Sequence, residues 1–117
     1  MSEADAEWPS GWLRSTLRLA TVAVLTTEPM HGYAVAQSLA AHGLGTVRGS
    51  VLYPALGKLE TEGAIVGTWE PGDSGPGRKV YSVTELGHAR LRDERRQWRG
   101  FATAIDDLLD SSREERP

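Results

Sequence analysis

Gly49-Ser50-Val51-Leu52-Tyr53-Pro54-Ala55-Leu56-Gly57-Lys58-Leu59-Glu60-Thr61-Glu62-Gly63 is the stretch on which the fold turns. Leu52, Leu56 and Leu59 recur at helical spacing and form one apolar stripe, with Ser50 and Lys58 on the polar edge. Gly63 closes the helix as a C′ residue, and Pro54 is expected near its N-terminal end, where a missing amide matters least. Further on, Gly75-Pro76-Gly77-Arg78-Lys79-Val80-Tyr81-Ser82-Val83-Thr84 reads as a glycine-rich loop entering a basic, alternating strand. Ala64-Ile65-Val66 with Thr68 and Trp69 supplies the strand before the loop. A helix followed by a basic hairpin is the working part of a winged helix-turn-helix, with the helix for a DNA major groove and the hairpin for the backbone beside it.

Outward from this centre the expected class is mainly α with a small β-hairpin. A first helix runs from about Gly11 to Thr27, with Leu13, Leu17, Ala20 and Val24 on one face and Trp12, Leu19, Val22 and Ala23 on others. A helix apolar on more than one side needs two partners. A second helix opens near Met30-His31-Gly32, uses Val35 and Leu39 as core contacts, and ends at Gly43. The last helix starts from a Thr84 N-cap with Glu85 in its first turn. Leu91, Trp98, Phe101, Ile105 and Leu108 give it an apolar seam at three-, four- and seven-residue intervals, which predicts a dimer interface. The expected organisation is a disordered acidic arm over residues 1–10 and a winged helix-turn-helix over 11–84. A dimerisation helix over 85–110 and a disordered tail over 111–117 complete it.

The formal net charge is −3, yet from Trp8 to Ile105 there are eleven basic and eight acidic residues, a local excess of +3. Such a chain should hold non-specific DNA weakly, through a few well-placed cations. No cysteine is present, which removes disulfides, thiolate metal sites and a cysteine nucleophile. The longest apolar run, near Leu19 to Leu25, is too short for a membrane span, and nothing suggests export, so the cytoplasm is the default location. His31, His42 and His88 lack metal-ligand spacing. The Gly72-to-Gly77 spacing resembles a phosphate loop, but Arg78 and Lys79 stand where Lys and Ser or Thr belong, and no helix follows. No cofactor, metal or enzymatic activity is expected.

On the third helix the residues for the groove side are Ser50, Val51, Pro54 and Lys58. Ser50 and Lys58 can hydrogen-bond to phosphates or bases, and Val51 can meet a thymine methyl. Tyr53 either donates to a phosphate or packs under the helix. Gly77, Arg78 and Lys79 belong to the wing, and His31 to a helix start whose amides can meet a phosphate. Arg90, Arg92, Arg95, Arg96 and Arg99 read as a solvated face.

Three motifs in order and spacing resemble the PadR family of bacterial transcriptional regulators. They are His31-Gly32-Tyr33, the Gly49–Gly63 helix, and Gly75 to Thr84 with its Arg-Lys-x-Tyr-x-x-Thr; the likeness runs from about Leu13 to Leu109. It implies a homodimeric repressor on a double-stranded, pseudo-palindromic DNA operator. Where family members commonly begin the helix Ser-Glu-Gly-Thr, this chain has Val47-Arg48-Gly49-Ser50, so Arg48 should add phosphate affinity and Thr46 substitutes for the cap. The resemblance also implies a cavity between subunits in which a planar aromatic molecule stacks on Trp98, with Trp12, Leu19, Val22 and Ala102 at similar lining positions. From the residues alone, Trp98 as a packing residue and Trp98 as a ligand platform both stand. The rival reading is a winged-helix protein-interaction module that does not bind specific DNA.

Overall fold

Hydrophobic spacing and capping build four helices and three strands, described here from a computed structural model over residues 8–72 and 75–112. Helix α1 (Ser10–Leu25) turns Leu17, Val24 and Leu25 inward, and α2 (Gly32–Leu39) adds Val35 and Leu39. Helix α3 (Gly49–Thr61) contributes Leu52, Leu56 and Leu59. A hairpin of β2 (Ile65–Glu70) and β3 (Arg78–Val83) follows, and then the long α4 (Glu85–Asp110). Ile65 and Tyr81 bring the hairpin's inner face into the same core.

The sheet has a strand that sequence reading missed. Met30–His31 forms β1, antiparallel to β3 with Met30 opposite Tyr81 and His31 opposite Val80, so the order is β1-β3-β2. This pairing sets the start of α2 against the hairpin. Between α2 and α3 the chain makes a wide π-type turn, Ala40–Leu44, in which Gly43 takes a φ of 92°.

Helix ends follow the expected chemistry in part. Thr84 Oγ1 accepts from the Gly87 amide at 3.0 Å and donates to the Gly63 carbonyl at 2.6 Å, so one hydroxyl caps α4 and ties it to the end of α3. Gly63 closes α3 with φ 82°. The N-cap of α3 is Arg48, with no side-chain capping bond, so Thr46 does not replace the missing serine. Pro54 stands in the second turn of α3, beyond the first-turn positions where its lost amide is free, and it removes the bond to the Ser50 carbonyl.

The arm and tail expected to be disordered lie mostly outside the described residues, at 1–7 and 113–117. Inside them, Trp8 donates its indole N–H to the Gly43 carbonyl at 2.8 Å and α1 already starts at Ser10. At the other end, the Ser111 amide still bonds to Asp107.

Two residues assigned to interfaces belong to the core. Leu91 is 5% exposed and anchors α4 to its own domain, because the first two turns of α4 still lie over the sheet and α1. Val22 is 4% exposed and packs in that core too, so it lines no cavity open to a second molecule. The apolar seam of α4 therefore begins at Trp98. The molecule measures 63 × 35 × 21 Å, its length set by α4 running past the domain. Among the described residues no helix is long and apolar enough to cross a membrane.

Candidate nucleic-acid interface

Helix α3 buries one stripe and leaves the opposite one open. Ser50, Val51, Pro54 and Lys58 are exposed along it, with Arg48 exposed at its N-terminus. Tyr53 lies on the flank. Its ring packs against Gly32 at the start of α2 and covers Gly49, and a Cβ at Gly32 would lie 2.6 Å from the Tyr53 hydroxyl. The glycine of His31-Gly32-Tyr33 is thus the space into which α3 fits its tyrosine. About half of the Tyr53 surface stays exposed, although its hydroxyl lies against Gly32.

His31 is the N-cap of α2, and its Nδ1 accepts from the Ala34 amide at 3.3 Å. Its ring runs parallel to that of exposed Tyr33, with centroids 6.4 Å apart. The other ring nitrogen, Nε2, lies 3.2 Å from Arg78 Nη1. His31 and Arg78 are thus in contact at hydrogen-bond distance, with the roles of the ring nitrogens set by the tautomer. They border an open cleft of about 370 Å³ that also includes Pro29, Met30, Ala34 and Val80 and is flanked by the carboxylates of Glu28 and Glu70.

The wing departs from the sequence reading at Lys79. Arg78 is exposed, but Lys79 Nζ donates to Glu60 Oε1 at 2.9 Å and sits over the Tyr81 ring at 5.6 Å. Glu60 Oε2 accepts from the Gly67 amide at 3.2 Å, so one carboxylate on α3 holds both strands of the hairpin. The bond from Lys79 keeps the Glu60 carboxyl below its usual range against opposing burial, and the same bond raises Lys79. A lowered carboxylate stabilises above the ordinary Glu range and stops doing so as pH falls through its lowered value. The raised ammonium is lost only as pH rises through its own, so the pair is intact at neutrality. Gly77 is half-buried, and a Cβ there would collide with the Glu70 carbonyl, so its role is close strand approach as well as turning.

A second carboxylate, also missed, joins three helices. Glu62, the C-cap of α3, accepts from Arg18 of α1 and, at 3.3 Å, from Arg90 of α4. Burial pushes its carboxyl up, but the Arg18 charge and the two guanidinium bonds outweigh this and hold it below the usual range. Arg90 is therefore no part of a solvated arginine face, whereas Arg96 makes only an exposed pair with Asp93 at 3.0 Å. The motif Leu59-Glu60-x-Glu62-Gly63 offered a signal for both carboxylates: two acids on a helix otherwise read as DNA-facing need cations of their own.

Away from this surface, Trp98 (44% exposed), Phe101 (62%), Ile105 and Leu108 (67%) form an apolar face of α4, with the Trp98 and Phe101 rings tilted together at 6.3 Å. Trp12 is exposed on α1, Leu19 is partly buried against the core, and Ala102 is half-buried.

Residues 22–93 match the Transcriptional regulator PadR-like family. The chain is 35% identical over 92 residues to Transcriptional regulator Rv3488 of Mycobacterium tuberculosis, covering 79% of this chain and 84% of that protein. Its fold is similar to that of a PadR family transcriptional regulator from Eggerthella lenta, with a TM-score of 0.79 at 33% identity over 88% and 89% of the two chains. A PadR-like transcriptional regulator from Bacillus cereus gives a TM-score of 0.76 at 27% identity over 87% and 99%.

Proposed function

Because this chain belongs to the PadR-like family of transcriptional regulators, whose members bind DNA, we propose that it is a homodimeric repressor of a pseudo-palindromic operator, released by a flat aromatic ligand at the dimer interface. The observation that carries the DNA surface is the exposed strip of α3 beside exposed Arg78, which contacts His31 at the start of α2. In this reading Ser50, Val51, Pro54 and Lys58 enter the major groove, and Arg48, Tyr33 and Tyr53 meet its phosphate edges. A phosphate oxygen beside the pair of His31 and Arg78 accepts from the exposed Arg78 guanidinium. The start of α2 adds a favourable helix dipole, whereas the carboxylates of Glu28 and Glu70 at the cleft's edge oppose an anion.

The test is titration of the chain with a duplex from its own promoter region and with a random duplex of equal length, across a range of salt. Binding should weaken linearly in log salt, and Arg78→Ala should flatten the slope by about 0.9 per subunit while weakening both duplexes alike. An unchanged slope removes Arg78 from the interface. If neither duplex binds with salt dependence, the protein-interaction reading takes over.

The ligand reading is supported by the exposed Trp98–Phe101 pair and by exposed Trp12 on α1. Quenching of tryptophan emission by flat hydrophobic dyes should persist in part in Trp98→Phe and largely vanish in Trp98→Ala, with both variants dimeric. Equal dye affinity in Trp98→Ala leaves Trp98 a packing residue. Release requires the ligand to prefer the DNA-incompetent dimer, each 1.4 kcal/mol of preference lowering operator affinity about tenfold.

A further inference from the structure

We infer that Glu60 is a resident counter-anion that withholds Lys79 from DNA phosphates and so suppresses sequence-independent binding; this rests on the DNA reading of α3 and the wing given above. Lys79 is one of two adjacent cations at the start of β3, and Arg78 beside it is exposed. Its ammonium is nonetheless occupied by Glu60 Oε1 at 2.9 Å, in the angle between α3 and the hairpin. The second oxygen of Glu60 is fixed by the Gly67 amide, so the carboxylate cannot swing away without losing a second bond. Gly67 is what allows this. A Cβ there would meet Lys79 Cε and crowd Glu60 Oε2, so a side chain at 67 would shift the lysine chain and press on the acid.

A phosphate approaching this angle competes with a carboxylate already in place, and a winning phosphate leaves Glu60 unpaired beside DNA. Random duplex, which offers charge and little else, therefore gains little from Lys79. Lys79 keeps about a third of its side-chain surface open, so exchange is sterically possible once Glu60 no longer holds it. The ion pair also fixes the hairpin against α3, so the same acid that restrains non-specific affinity holds the wing at one angle.

The experiment measures the log K against log salt slope on random duplex for the native chain, Glu60→Gln, Lys79→Ala and the double variant. Gln can still accept from Gly67 but carries no charge. Glu60→Gln should tighten random binding and steepen the slope by about 0.9 per subunit, roughly 3.5-fold in affinity for each fourfold change in salt. Lys79→Ala alone should keep nearly the native slope, and the double variant should return to it. The ratio of promoter to random affinity should fall in Glu60→Gln. An unchanged Glu60→Gln slope, or a gain that survives in the double variant, overturns the inference while native binding stands. A native slope of zero overturns the DNA reading with it. Should Glu60→Gln prove unstable, a slope flattened by about 0.9 per subunit in Lys79→Ala also overturns the inference, because it means Lys79 was already on phosphate.

Discussion

Phe101→Glu with Leu108→Glu is expected to turn the chain into a monomer and to lower promoter affinity by about two to four orders of magnitude. The two side chains are 62% and 67% exposed within their own chain, on a face shared with Trp98 and Ile105. A second copy is the occupant that would bury all four, and carboxylates placed there would have to be buried unpaired. The affinity change comes from linkage: two half-site contacts joined by one dimer exceed either alone by about 10²–10⁴. Because neither side chain packs in the core, the thermal transition of the DNA-binding domain should survive, which separates dissociation from unfolding. Light scattering that finds an intact dimer, or a monomer with native promoter affinity, defeats the assignment of α4 as the dimer seam.

Leu56→Ala is expected to lose about 2–5 kcal/mol of stability, the range for a leucine removed from a closed core. Leu56 is fully buried, between Leu52 and Leu59 in the seat of α3. A domain of this size holds about 5–15 kcal/mol in total, so the loss is a large share of it. The melting temperature should drop by roughly 10 to 30 °C. Promoter binding should fall before the fold is lost, because α3 is the element whose seat is emptied. A change of only a few degrees in a circular-dichroism melt would mean that neighbouring side chains close the gap.

Elements whose ends are marked by local chemistry were legible in the sequence. Thr84 and Gly63 announce their roles through residue type and position alone, whereas Gly43 sits inside the turn that follows α2 and not at its end. Strand β1 was hidden because two residues carry no period; Met30 and His31 become a strand only by meeting Tyr81 and Val80, about fifty positions on. Leu91 shows a different limit. It sits one heptad before Trp98 and in phase with it, so spacing groups the two, yet the domain ends between them and one is core while the other is open. Val22 on α1 was misplaced for the same reason, since a helix apolar on two faces does not say which face its own chain covers. Lys79 was read from its place beside Arg78; the sequence signalled that Glu60 needs a cation, but not which one.

The projecting half of α4 has a consequence for the free chain. Beyond Leu91 the helix runs to Asp110 with no buried residue, and helices in proteins draw most of their stability from the packing of an apolar face. Its helicity then depends on what covers the Trp98–Leu108 face. Far-UV ellipticity should therefore rise with protein concentration, and dilution should melt α4 from its C-terminal end while the domain stays folded. On that expectation, the amount of protein present sets how much of each molecule is ordered.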